Sequence, residues 1–234
     1  MTVPDKKIVL YNTPTSPYGQ RVLMALKLAD VEFEDVFVDM KDKEWYKEVY
    51  PEAKVPALKY GDEVIPESMV IIELLDELYP AAKIFPADDP VKKAKMKFII
   101  RLFEDQALLL SRQLITNLPI TKESFDVHVD SMTKVFRRLN QLLVEQSDSG
   151  PYFLGKEYSA IDIALAPFIF QIIFFARFLT GQNYKVLEEL PRLRAYFDAL
   201  LDNPVYKETA YLDDEKLAAV AAERFNVSKN MFVE

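Results

Sequence analysis

The hydrophobic pattern changes character near residue 80, from short alternating elements to long helices, and that change limits the possible folds more than any other feature of the chain. Upstream the period switches quickly. "KIVLY" (7–11) is a short apolar strand, and "GQRVLMALKLADV" (19–31) has helical spacing at Val22, Leu23, Leu26 and Ala29. "FEDVFVDM" (33–40) alternates as a strand, and "KEWYKEVYP" is a short helix or an irregular turn. "VPALKYGDEVI" (55–65) is a hairpin with its turn at Gly61-Asp62. "ESMVIIELLDELYP" (67–80) is a helix that Pro80 ends. The order is β-α-β, a connector, then β-β-α.

"PAAKIFPADDPVKKA" (80–94) has three prolines and no period, which marks a linker. Beyond it everything is helical: 91–116, then 122–146 with Met132, Val135, Leu139 and Leu142 on one face, then an all-apolar 159–180, then 190–202 and 213–225. The expected architecture is an α+β chain of two domains. Residues 1–82 form a small βαβ-ββα domain, 83–90 a linker, and 91–234 an all-α domain.

Composition removes several function classes. Net charge is −8 with acids and bases interspersed, which disfavours nucleic acid and anionic membrane surfaces as partners. The chain has no cysteine, so thiolate metal sites, disulfides and cysteine nucleophiles are excluded. His128 is the only histidine, so no multi-histidine metal cluster exists, and "FDVHVDS" reads as one face of a helix. "IALAPFIFQIIFFA" (163–176) has 14 residues, short of the roughly 20 that span a bilayer, and reads as a buried central helix. "MTVPDKK" runs directly into a strand pattern rather than a secretory signal, so the expected compartment is the cytosol.

Three local features carry chemistry. Ser16-Pro17 stands where the first strand feeds the first helix. Serine is a favoured N-cap and proline a favoured first helical residue, while the same helix end can also hold an anion. Pro56, in "VPAL", cannot donate to a strand ladder. It marks either an ordinary edge or, with a cis Val55–Pro56 bond, a Val55 whose N–H and C=O face an extended peptide ligand. Glu67-Ser68 opens a helix directly after the hairpin, either as a helix start or as paired contacts for an ammonium and a carboxylate.

In this order and spacing, "SPYGQRV", "VPAL" and "PESMVIIELLDELYP" resemble the glutathione-binding half of the glutathione transferase superfamily. "YFLGKEYSAIDIALAP" (152–167) looks like its capping signature for the central helix, with Ser159 and Asp162 spaced to cap one another. The resemblance covers nearly the whole chain and implies a thioredoxin-like N-terminal domain with an all-α C-terminal domain. "KDKEW" and the tail after residue 205 look omega-like, but Ser16 replaces the cysteine of that class, as in serine-bearing omega-like transferases of wood-decay fungi.

The resemblance also implies an enzyme that conjugates glutathione to small, aromatic electrophiles. Ser16 would stabilise the glutathione thiolate, Val55 and Pro56 would meet the cysteinyl backbone, and Glu67 and Ser68 would hold the γ-glutamyl end. The glycyl carboxylate falls to Lys43 or Lys41, with Lys43 preferred, and Tyr11 is the rival thiol-activating residue. Tyr18, Phe168, Gln171 and Phe175 are the acceptor-pocket candidates. Glutathione is the co-substrate, no metal is implied, and a homodimer is expected. The competing reading is a ligandin-type binding protein for aromatic compounds with little turnover.

Overall fold

The computed structural model describes residues 6–117, 120–225, 227–228 and 232–233. It divides into two compact units: Met1–Pro90 with Pro204–Tyr211, and Val91–Asn203 with Leu212–Glu234.

The first unit is built on a four-stranded sheet in the order β2-β1-β3-β4. β1 (Ile8–Asn12) pairs in parallel with β2 (Glu34–Phe37) through the crossover helix α1 (Pro17–Leu28). β3 (Ala57–Tyr60) and β4 (Glu63–Pro66) form the expected hairpin, with Gly61 at φ 64° in its turn. The helix α2 (Ser68–Leu78) then returns beside α1. Between β2 and β3 the connector is a 3-10 turn, Trp45–Glu48, which resolves the alternative left open by "KEWYKEVYP". Buried Tyr46 anchors it against Val38, Ala53 and Ala57.

One segment of this unit comes from far along the chain. The short helix α9 (Pro204–Thr209) packs on α1, with Tyr206 buried, an ion pair between Lys27 and Glu208, and Gln20 donating to the Tyr206 carbonyl. Just beyond it, Tyr211 Oη donates to Asp35 over 3.1 Å. The expected boundaries leave residues 204–211 among the helices of the second part. Here they pack with the first unit, because that packing depends on contacts a helical period does not encode.

The second unit is helical. The expected helix over 91–116 is α3 (Pro90–Phe103), one π-helical turn at Glu104–Leu108, and α4 (Leu109–Thr116). α5 (Lys122–Gln146) buries Met132, Val135, Leu139 and Leu142, the stripe its spacing predicts. α6 (Ala160–Thr180) is the central helix expected over 159–180. Its 21 residues and mean hydropathy of 1.9 would suffice for a membrane span, but 67% of that window is buried inside the protein. At its start the buried Asp162 carboxylate accepts from Ser159 N (2.7 Å), Ser159 Oγ (2.9 Å) and Phe153 N (3.0 Å). α7 (Val186–Glu189), α8 (Pro191–Asp202) and α10 (Asp214–Phe225) follow, with a two-residue pairing of β5 (Ile120–Thr121) and β6 (Phe232–Val233).

Candidate active site at one end of the sheet

Strand register collects the three chemical features at one place. Tyr11 pairs with Ala57, and Ala57 pairs with Pro66. The chain just after Tyr11, just before Ala57 and just after Pro66 therefore emerges at the same end of the sheet. Those are the Asn12–Ser16 loop, Val55-Pro56 and Glu67-Ser68. Residues 55 positions apart in sequence become neighbours because three short strands end together.

Ser16 is the N-cap of α1. Its backbone is extended (φ −88°, ψ 114°), and its Oγ accepts the Gly19 N–H at 3.1 Å. The capping role is therefore real. It uses a lone pair of the hydroxyl and leaves the hydroxyl proton to be donated elsewhere. That proton sits at the positive end of a 12-residue helix, where an anion is favoured.

The Val55–Pro56 bond is cis. Val55 makes no backbone hydrogen bond to another described residue, so both of its peptide groups stand open beside the end of β3. Lys43 is half-buried and its Nζ donates to the Ala53 carbonyl at 3.1 Å, two residues from Val55. Lys41 is exposed on the preceding turn, where its backbone N–H donates to Asp39.

Glu67 has φ 69°, one of four described non-glycine residues in the left-handed region. Such a conformation persists only where the surroundings over-determine it, commonly at ligand clamps. Glu67 is exposed, while Ser68 beside it is 5% exposed and accepts a long hydrogen bond (3.4 Å) from Arg21.

Two residues at this end escape a reading of the sequence alone. Arg21 is fully buried on α1, bridging Ser68 and the face of the Tyr18 ring, 5.4 Å from the ring centroid. The available signal was a cation amid the apolar positions of α1. Asn12 is 3% exposed and its Oδ1 has no hydrogen-bond partner. It lies so close beneath α1 that a Cβ at residue 19 would come within 1.7 Å of that oxygen. Gly19 is thus required by this close approach, and through its N–H it fixes the Ser16 hydroxyl.

Other candidates are placed as follows. Tyr11 is half-buried and its ring packs against Tyr46 (5.3 Å between centroids) and Trp45 (6.5 Å). Tyr18 is 43% exposed on the first turn of α1. Gln171, on α6, is half-buried. Phe168 and Phe175, expected at an acceptor pocket, are buried; Phe175 packs into the core of the second unit with Leu114, Phe174 and Leu217. An aromatic at helical spacing on an all-apolar helix served the core. Among the described residues no cluster of three or more His, Asp or Glu could hold a metal ion.

Chemically, this end of the sheet offers a hydroxyl donor at a helix terminus, a Val55 backbone with no hydrogen bond to another described residue, an acid and an amine. That set fits a small peptide carrying one nucleophilic anion. Comparison with known proteins identifies the family. Residues 10–83 match the family described as "Glutathione S-transferase, N-terminal domain" and residues 122–199 match "Glutathione S-transferase, C-terminal domain". Glutathione S-transferase omega-1 of Mus musculus is 30% identical over 206 residues, 87% of this chain and 80% of that protein. The Rattus norvegicus omega-1 protein is 29% identical over 205 residues, with the same coverage. In structure, glutathione transferase Omega 1C from Trametes versicolor matches 98% of this chain and 99% of its own, with a TM-score of 0.80 at 24% identity. Omega 2S from the same organism, in complex with 2,4-dihydroxybenzophenone, covers 93% of this chain and 99% of its own at TM-score 0.76 and 25% identity. With both domains matched and omega-class relatives aligned along most of its length, the chain belongs to the glutathione S-transferase superfamily.

Proposed function

We propose that this glutathione transferase conjugates reduced glutathione to small aromatic electrophiles, and that Ser16 donates a hydrogen bond to the attacking thiolate. The observation that carries the reading is the Ser16 hydroxyl. Its oxygen already accepts the Gly19 N–H, which leaves its proton free to be donated to a ligand at the helix terminus. Around it, the open Val55 backbone beside Pro56 pairs with the cysteinyl unit of glutathione. Glu67 and Ser68 take the γ-glutamyl ammonium and carboxylate, and Lys43 takes the glycyl carboxylate. Within the first unit Tyr18, 43% exposed on the first turn of α1, is the acceptor candidate. The compartment proposed is the cytosol, where glutathione is kept reduced.

The site assignment is tested by calorimetry. Replacing Glu67 and Ser68 together by alanine removes charge-assisted hydrogen bonds worth about 1.5–3 kcal/mol each, so glutathione affinity should fall about tenfold or more. Unchanged affinity in that double variant removes the assignment.

A second reading is storage of aromatic compounds with little turnover. It is favoured by the likeness to Omega 2S, which was solved holding an aromatic ketone. Conjugation assays with several aromatic electrophiles, run beside binding titrations with and without glutathione, separate the two. Tight binding without product formation selects storage.

We also propose a homodimer. Val91 and Phe98 are 64% and 52% exposed and, seven residues apart on α3, share one face.

A further inference from the structure

The second unit holds a cleft of about 440 Å³ that shares no residue with the glutathione site. Leu110, Gln113 and Leu114 on α4 form one wall, and Val127, His128 and Ser131 on α5 form the other. We propose that this cleft binds a small, neutral, flat aromatic molecule bearing a carbonyl oxygen, which accepts a hydrogen bond from the His128 imidazole.

The volume lies within the range of ordinary small-molecule sites, roughly 300–1,000 Å³. His128 is 7% exposed, and its Nε2 lies 2.7 Å from the Tyr184 hydroxyl. Tyr184 is 3% exposed, so its phenolic proton needs an acceptor. Donation to Nε2 satisfies it. The reverse arrangement would strand that proton in the core at a cost of roughly 1–3 kcal/mol. The imidazole therefore carries its own proton on Nδ1. Nδ1 has no hydrogen-bond partner among the described residues, and it is not among the buried atoms sealed from solvent. A buried ring, stacked on Phe125 and held by Tyr184, thus presents one N–H to the cleft.

The rest of the lining selects the ligand's charge. Glu123 is its one formally charged side chain. A carboxylate ligand would be repelled by it, and an ammonium could not accept from an N–H donor. A neutral acceptor oxygen remains. The leucines and Val127, which is 61% exposed, supply the apolar surface against which a ring would lie.

The test uses the fact that His128 is the chain's only histidine, so its side-chain resonances need no assignment. Protein labelled with 15N-histidine is titrated with 2-acetylnaphthalene and, separately, with 2-ethylnaphthalene, which lacks the acceptor oxygen. The ketone should shift the Nδ1 resonance saturably and bind about tenfold more tightly than the hydrocarbon. Ser131→Phe and Val127→Trp, which fill the cleft from inside and from the rim, should each weaken ketone binding at least tenfold and leave glutathione affinity unchanged. The proposal is overturned if the ketone binds without moving the imidazole signal. It is equally overturned if saturating S-hexylglutathione competes the ketone away while both cleft variants bind normally, or if the shift is seen in monomer and disappears when a second copy associates.

Discussion

Replacing Ser16 by alanine separates the cap seen in the structure from the proposed role as hydrogen-bond donor to the thiolate. As a cap, the hydroxyl accepts the Gly19 N–H at 3.1 Å, and its loss should cost about 1 kcal/mol of stability, lowering the melting temperature by a few degrees. As a donor, it should lower the pKa of bound glutathione. A free thiol near 8.5 is only a few per cent ionised at neutral pH, and a two-unit drop requires about 2.7 kcal/mol of preference for the anion. A charge-assisted hydrogen bond supplies roughly 1.5–3 kcal/mol and the terminus of α1 up to about 2 kcal/mol. Removing the hydroxyl should therefore raise the bound thiol's pKa by about one to two units. Starting from a pKa of about 6.5, the thiolate fraction at pH 7 then falls roughly 3- to 25-fold, and conjugation falls with it. The sign gives a second check. The deficit should be largest below the wild-type pKa and should vanish above about pH 9, where both proteins bind thiolate. The measurement is the pH profile of single-turnover conjugation, normalised to folded protein, beside thermal melts. A variant that melts earlier yet follows the wild-type pH profile would show that Ser16 only caps the helix, and Tyr11 would become the residue to replace.

Ser16→Cys should gain a covalent glutathione adduct visible by mass spectrometry, with thiol-transferase activity that the wild type lacks; an unmodified variant under mild oxidation would contradict the placement of residue 16 beside the sulfur. Burial lowers the His128 pKa to about 4, so below pH 6.5 the unfolded chain takes up a proton that the folded one refuses, and stability falls with falling pH. That contribution reaches about 3 kcal/mol near pH 4; at pH 5 the loss relative to pH 7 should be about 2 kcal/mol smaller in His128→Gln, and identical urea profiles would refute it. Wild-type protein should sediment at about twice 27.0 kDa, and Phe98→Asp should shift it toward monomer; a wild type already monomeric at micromolar concentration contradicts the dimer.

How much of this was legible in the sequence depends on how local each cause is. The strand and helix order was readable because period is a property of a few consecutive residues. The Ser16 cap was readable for the same reason, since the hydroxyl and the amide it meets are three residues apart. The α5 stripe of Met132, Val135, Leu139 and Leu142 was readable from spacing alone. Asn12, Gly19 and Arg21 were not, because their roles arise where α1 crosses β1 and α2. Nothing in "YNTPTSPYGQR" says that an asparagine side chain will occupy the space over a glycine. The return of residues 204–211 to α1 was hidden similarly, as a tertiary contact between segments almost two hundred residues apart. Phe168 and Phe175, expected at a pocket, are buried instead. On α6 apolar side chains are buried nearly all round, so spacing could not tell pocket from core.

The serine at position 16 also narrows which reactions the site can run. A cysteine there can attack a glutathionylated substrate and carry the glutathione on the enzyme as a mixed disulfide. A serine oxygen cannot form that bond, and this chain has no cysteine elsewhere to take over. Every sulfur that changes partners must then belong to glutathione or to the substrate. What remains is chemistry in which bound glutathione is itself the nucleophile, and for that role a neutral hydroxyl is well suited. In the proposed role it would stabilise the thiolate by one hydrogen bond without competing as a second nucleophile, because no described base lies within hydrogen-bonding distance of Ser16 to remove its proton. Binding energy from Val55, Glu67, Ser68 and Lys43 would then fix where the sulfur sits, and Ser16, held by Gly19 above Asn12, would fix its charge.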